Sequence, residues 1–528
     1  MIHQKNKSLI WPLCILVLSA LVIRILAFHN TLMMNNDGTI YIHQARALYY
    51  GLWPAINSCS SVDYLTLYAI LIAAIYPVFG DWVRGAMAVN LIFGTLMIIP
   101  LYLLLRRFLD EKTSFLTTFI FVMLPLFVIQ SVNIIRDPSY WFFSILGLYL
   151  LVYNDESKTP YALIFSSLSF IAATATRIEG SVFIMGGCLY AGMVFKQQRF
   201  KAAVLFLVPI ILAISCFVLI QFIRHPANFY WYRFQEIPLA ITNVFEQYHH
   251  LEQSITSLII NLQYGDLKEF LEHSRTIIWF VPLGIILNSA LEALFYIFFF
   301  LMLFGFSGLK KRMQKDRRIL PLLMIAAISL VVLYLYCLNI WSMENRRLAM
   351  VIIPTAYIMG FGAENLMRWL HKRFGLSDSK SVGLLCLLVL VLTLPKDLKI
   401  QEADKLVYKD IGETIARFDG GSGEIALITL GDSGRWINYY ANLHVNGAPC
   451  PEKNGHWQNI IGGSYENFIR DMRMRKIHYV IWEENHWPRN AFVFLKSVQS
   501  DDLKQLREWR HRDTGRIIFY QVLYQKNS

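Results

Sequence analysis

Charge is scarce in this chain. Asp, Glu, Lys and Arg make up 16% of its 528 residues, where soluble domains carry about 25%. With 55% apolar residues and a mean hydropathy of +0.43, that shortage excludes a cytosolic enzyme, a disordered scaffold and a secreted domain. Cysteine is scarce too. The seven cysteines include no CxxC and no zinc spacing, so neither a disulfide framework nor a structural metal organises the chain. Cys14, Cys188, Cys216, Cys337 and Cys386 fall in apolar runs, where cysteine acts as a small hydrophobe. Cys59 and Cys450 fall outside them. An oxidising compartment would permit a bridge, but their positions alone leave it open. Internal repeats and low-complexity tracts are missing, which excludes a solenoid. The net charge of +12 would suit nucleic acid, yet much of the excess lies in short loops beside apolar runs, so no nucleic-acid partner is expected.

What is present is a series of long apolar runs. A spanning helix needs about 20 apolar residues. Eleven candidates are found, near 9–28, 82–105, 113–131, 138–153, 160–176, 178–195, 202–222, 281–306, 319–338, 347–366 and 381–395. The first follows Lys5 and Lys7 and stays apolar to Phe28 with no small-residue cleavage site, so it reads as a retained anchor. Another apolar stretch, 64–79, is read as interfacial or re-entrant because of the positive-inside rule. With it excluded and the N-terminus inside, the short inside loops hold 19 Lys and Arg and the longer outside loops only 10. The basic run from Lys310 to Arg318 is then inside. Trp53, Trp82, Trp141, Trp231, Trp279 and Trp341 fall near the outer face, and Trp11 and Trp369 near the inner one, as interfacial tryptophans do.

The expected architecture is a polytopic α-helical membrane protein. A transmembrane domain spans 1–395, with outer loops at 29–63 and 223–277, and a small extracytoplasmic α/β domain spans 396–528. In that tail, 424–430, 478–482 and 516–520 read as strands, and 403–418 and 488–498 have helical spacing. His249-His250 reads as a solvated loop pair. The one Asn-x-Ser/Thr sequon, Asn6-Lys7-Ser8, is expected inside, which suits a bacterial plasma (inner) membrane.

Ionisable residues gather at the outer helix ends, where each is a functional candidate. Asn36-Asp37-Gly38 opens an amphipathic helix over 38–50, with Tyr41, Ala45 and Leu48 on one face and Gly51 as its stop. The plain alternative for Asp37 is a helix N-cap. Arg136-Asp137-Pro138 stands at the turn between the third and fourth spans, where Asp before Pro also suits a cap. Thr176-Arg177-Ile178-Glu179-Gly180 interrupts an otherwise apolar stretch. Glu344-Asn345-Arg346-Arg347 places two arginines outside, against the positive-inside pattern, and an anionic ligand would account for them. A carboxylate can serve as base for a hydroxyl, and arginine forks suit phosphate. Together they suggest transfer from a lipid-linked phosphate to an acceptor at the outer face.

The order of these motifs resembles the GT-C glycosyltransferases, in the branch of the dolichyl-phosphate-mannose protein mannosyltransferases and lipid A aminoarabinose transferases. The resemblance rests on Asp37, Tyr41, Ala45 and Gly51, then Arg106-Arg107-Phe108, Leu124-Pro125, Arg136-Asp137-Pro138, the 176–180 motif, and Arg346-Arg347 up to Pro354. It covers roughly the first 195 residues by motif and 196–395 by architecture. It implies a polyprenyl-phosphate sugar donor, a glycolipid, polysaccharide or protein acceptor, and a site at the outer leaflet. It implies that Asp37 stands at the family's catalytic acid and Asp137 at a second acid. Two departures matter. Many relatives have two acids where this chain has Asn36-Asp37, and a Lys/Pro-rich stretch where it has Ser60-Ser61-Val62-Asp63-Tyr64. Donor phosphate binding therefore shifts to Arg177, Arg346 and Arg347, with Tyr41, Arg136 and Glu179 as further substrate contacts. A phosphate leaving group needs cations rather than a general acid, so the expected reaction is an inverting transfer with no required metal, although a divalent ion remains open. The alternatives are a transporter or flippase of lipid-linked sugars, which should show inverted repeats and broken mid-membrane helices, and a lipid-linked oligosaccharide transferase.

Overall fold

A computed structural model describes residues 2–59, 65–153, 161–195, 198–224, 232–262, 265–421, 423–429, 431, 433–452, 461, 463–488 and 491–524. The Ser60 to Tyr64 stretch, residues 154–160, Trp231 and Leu430 lie outside these residues. Helix is found in every one of the eleven apolar stretches. Among the described residues, six helices are long and apolar enough to cross a membrane. A seventh is counted if Asp266–Thr276 and Ile278–Ala293, bent by 68°, form one span. Several of the other stretches are short or broken for local reasons. Leu124 is extended because Pro125 follows it, so Glu111–Met123 ends there and Pro125–Gln130 begins anew. Phe295 and Tyr296 adopt positive φ and separate Val281–Ala293 from Ile297–Gly305. The helix within 64–79, Leu67–Phe79, has 13 residues. It rises about 20 Å, short of the ~30 Å hydrocarbon core.

The chain divides into two compact units. One comprises 1–25, 91–131 and 136–398, and the elements described in it are all helices. Two of its helices touch backbone to backbone. A Cβ on Gly305 would lie 1.9 Å from the Ile358 carbonyl oxygen, and one on Gly362 would lie 1.9 Å from that of Leu301. Only hydrogen fits at either position, and such small-residue contacts let apolar helices approach closely. Arg24 is fully buried in this unit. It donates to Ser131 Oγ at 3.1 Å and to the carbonyls of Ala20 and Val122 at 3.2 and 3.4 Å. Asp397, also buried, supplies the opposing charge. The segment read from sequence as an outer loop holds helices Tyr232–Asn261 and Asp266–Thr276, so His249-His250 is a helical pair rather than a loop pair. The stretch has helical periodicity but too many polar residues to register as a span.

The other unit comprises 26–90, 132–135 and 399–528. Its sheet contains β1 (Leu427–Ile428), β2 (Tyr479–Glu483), β3 (Leu503–His511) and β4 (Gly515–Val522), in the order β1-β2-β4-β3. β1 and β2 run parallel, and β4 is antiparallel to both β2 and β3. Phe468, Met472, Val480, Trp482, Phe494 and Ile518 form its core. Three helices, Leu406–Asp419, Ser433–Ala441 and Tyr465–Met474, accompany the sheet. Among the described residues of 488–498, helix is limited to Phe494–Ser497.

The segment read from sequence as the first outer loop is fastened to this α/β part within the same unit. Arg46 donates to the carbonyls of Gly447, at 2.7 Å, and Val445. His43 lies between the carbonyls of Pro449 and Ala55 at 3.0 and 3.1 Å. Trp436 Nε1 donates to the Met34 carbonyl at 2.9 Å. Cys59 and Cys450 form a disulfide closing a separation of 391 residues. Burial lowers the His43 pKa, against the pull of its two carbonyl partners.

Candidate functional site

The Asp37 carboxylate belongs to helix Asn36–Tyr49. The helix starts two residues earlier than its periodicity predicts. Asn35 is the N-cap and Asp37 the second helical residue, so Asp37 is not the cap. Asn35 Oδ1 accepts from the Ile134 amide at 2.7 Å, which ties the helix start to the 132–135 segment. A carboxylate in the first turn still gains from the helix dipole. The Asp37 side chain is 41% exposed, and Arg435 Nη1 is 3.9 Å from its Oδ1. Arg435 also donates through Nη2 to Glu452. Tyr41, by contrast, is buried, with its ring edge-on to Tyr68 at 5.3 Å.

The other candidates lie in the helical unit and form a network of charges. Asp137 begins helix Asp137–Tyr153 and is buried. Arg177 Nη1 donates to both Asp137 oxygens at 2.8 and 2.9 Å, and its Nη2 to Glu179 at 2.8 Å. Arg347 donates to the same Glu179 oxygen at 2.6 Å, and its guanidinium lies 4.2 Å from the Tyr336 ring centroid. Arg346 clasps Glu344 through Nε and Nη2 at 3.0 and 2.6 Å and lies 3.9 Å from Asp137. Three arginines thus face three carboxylates, which is how charges persist inside an apolar bundle. Gly180 closes the 177–180 turn so tightly that a Cβ would lie 2.5 Å from the Thr174 amide nitrogen. Glu344 is the most exposed carboxylate of the set, at 47% of its side chain. Burial would raise its pKa, but its bond to Arg346 and the charges of Arg346 and Arg347 hold it below the ordinary range. Arg136 is half-buried beside this network, and its carbonyl accepts from Ser139 Oγ at 2.9 Å.

Sequence reasoning found Asp37, Asp137, Arg177, Glu179, Arg346 and Arg347 but not how they pair. Glu344 was visible beside the two arginines, and its clasp on Arg346 was not. Arg435 and Glu452 gave no signal, because mixed charge is ordinary in an α/β segment. Among the described residues, Asp404, His511 and Asp513 each bring a ligand atom within 4.8 Å of the others. His511 Nδ1 is already engaged by Tyr408 Oη at 3.1 Å.

The sequence model of the family described as dolichyl-phosphate-mannose-protein mannosyltransferase matches residues 66–221. That range takes in Asp137, Arg177 and Glu179 and leaves out Asp37. No curated protein matches the chain. Among solved structures, ArnT from Cupriavidus metallidurans in the apo state aligns with a TM-score of 0.58 at 12% identity, over 96% of this chain and 97% of that one. The same protein bound to undecaprenyl phosphate gives 0.56 at 12% identity, over 97% and 98%. AglB, the archaeal oligosaccharyltransferase from Archaeoglobus fulgidus in complex with an inhibitory peptide and a dolichol-phosphate, gives 0.54 at 15% identity, over 91% and 70%. At these identities the likeness is one of fold alone: the chain is similar in fold to ArnT and AglB.

Proposed function

We propose that this chain, which carries the mannosyltransferase family pattern over residues 66–221 and the fold of GT-C membrane enzymes, is an inverting glycosyltransferase. It takes a sugar from a polyprenyl-phosphate donor and passes it to a hydroxyl of an envelope glycolipid, polysaccharide or protein. The observation that carries the reading is the network of Arg177, Arg346 and Arg347 at helix ends in a charge-poor chain. Two structures of the same fold were solved with polyprenyl phosphates bound, which supports this donor class.

In this mechanism Asp37 removes the proton from the acceptor hydroxyl. The acceptor oxygen bonds to the anomeric carbon, and the bond from that carbon to phosphate oxygen breaks with its electron pair going to the phosphate. Arginines stabilise the departing anion, whose charge grows in the transition state. Because Glu344 occupies the fork of Arg346, a donor phosphate has to displace it. Glu344 is the partner best placed to swing into solvent. Asp137, held at both oxygens by Arg177, orients that arginine rather than moving protons. Polyprenyl phosphate leaves as a stabilised anion, so the step needs no general acid. AglB, one of the similar structures, is an oligosaccharyltransferase, which keeps whole-glycan transfer as the second reading.

The deciding experiment is mass spectrometry of polyprenyl-phosphate sugars and surface glycans with and without this gene. The monosaccharide carrier should accumulate and one glycan should lose one residue. Loss of an entire glycan would favour the oligosaccharide reading, and unchanged carrier and glycans would sink both. Donor binding has its own test. Replacing Arg346 and Arg347 together with Gln should weaken undecaprenyl phosphate binding about tenfold to a hundredfold, the worth of a lost charge-assisted bond of roughly 1.5–3 kcal/mol. Glu344→Gln should tighten it, and unaltered affinity in both variants would assign these groups to packing.

The proposed topology has eleven spans, with the N-terminus cytoplasmic, the C-terminal domain extracytoplasmic and Leu67–Phe79 not crossing. A cysteine introduced by Gln314→Cys should react with an impermeant maleimide only after cells are opened. Labelling in intact cells would reverse the orientation of the loops after Phe79.

A further inference from the structure

Arg435 is not an ordinary surface arginine. It lies in helix Ser433–Ala441 with 21% of its side chain exposed, and its Nη2 is committed to Glu452, which is 22% exposed. Its Nη1 stands 3.9 Å from Asp37 Oδ1, too long for a hydrogen bond and within ion-pair range. The spacing comes from built structure on both sides. Trp436, the next residue, hydrogen-bonds the Met34 carbonyl, three residues before Asp37. Its ring is stacked on Tyr408 with centroids 5.6 Å apart and lies under Lys405 Nζ at 5.2 Å. Farther along the Asp37 helix, His43 and Arg46 hold the same two segments together, as does the Cys59–Cys450 disulfide beyond its end. Two flexible side chains meeting in solvent would have no such anchors.

We propose that Arg435 is a positioning residue for Asp37 and that Glu452 sets its reach; this rests on Asp37 being the base. The guanidinium orients the carboxylate from ion-pair distance. Glu452 holds one end of the guanidinium, so that it stops at ion-pair distance and does not cover the oxygen that must accept the acceptor's proton. The α/β segment thereby takes part in the chemistry through Arg435, without touching the reacting atoms.

The test uses the full-length protein. Product glycan formed at matched membrane levels gives the turnover, and titration of purified protein with undecaprenyl phosphate gives donor affinity. Arg435→Gln should lower turnover about tenfold to a hundredfold and leave affinity for undecaprenyl phosphate within twofold. Arg435→Lys keeps the charge and should recover a large part of the loss. Glu452→Gln should lower turnover in the native background and add nothing in the Arg435→Gln background, because its effect passes through Arg435. A matching loss of undecaprenyl phosphate affinity in Arg435→Gln would make Arg435 a substrate contact and overturn the proposal. So would full turnover in that variant, or a Glu452→Gln effect that persists without Arg435. If Arg435→Gln fails to fold, Arg435→Lys and Glu452→Gln carry the decision. An inactive Asp37→Asn beside a fully active Arg435→Gln removes this inference alone, whereas an active Asp37→Asn removes the base assignment beneath it.

Discussion

Asp37→Asn should give a folded protein whose transfer activity is down by about a hundredfold or more, the range general base catalysis supplies. The structural cost of the change is small by comparison. Asn35, not Asp37, caps the helix, so what is lost there is one carboxylate's interaction with the helix dipole, worth about 0.3–1 kcal/mol. The ion pair to Arg435 is long and its carboxylate is two-fifths exposed, which limits its worth to about 1 kcal/mol or less. A hundredfold fall in rate corresponds to roughly 2.7 kcal/mol of barrier, and a destabilisation of the estimated size leaves most molecules folded. Glycan formation per folded molecule is the deciding measurement, with thermal unfolding as the control. A well-folded variant with native activity would remove the base assignment and most of the mechanism built on it.

The largest stability effect is expected at Arg177. Its side chain is 4% exposed, and it binds a 2%-exposed Asp137 and a 16%-exposed Glu179 at once. Removing one member of a buried pair costs about 3–5 kcal/mol, because the charge left behind is uncompensated. Arg177→Gln strands Asp137, whose remaining charged neighbour in this network is Arg346 at 3.9 Å. Glu179 keeps Arg347. The loss should therefore reach the middle of that range, and adding Asp137→Asn should restore most of it. Denaturant or thermal unfolding in detergent measures both. A loss under about 1 kcal/mol for the single change would mean that water reaches the network and that it stores little.

The helices were legible because hydropathy is a local property. Each apolar stretch holds helix, broken at Leu124 and at Phe295–Tyr296, and β2 and β4 followed their apolar runs. β3 was missed because its sequence, Leu503–His511, is mostly polar and only Leu503 of it is buried. The candidate charges were also legible, since an ionised group near an apolar run is costly enough to demand a reason. Their partners were not. Asp137, Arg177, Glu179, Glu344 and Arg347 come from three turns far apart in the chain, and neutralisation depends on distances of about 3 Å that sequence spacing does not encode. The Cys59–Cys450 bridge and the Arg435 approach to Asp37 span nearly 400 residues. Sequence determined which segments are apolar and which residues could do chemistry. Tertiary structure decided which charges are paired, which carboxylate keeps an exposed face, and which arginine stands beside it, because electrostatic energy depends on separation in space and not along the chain.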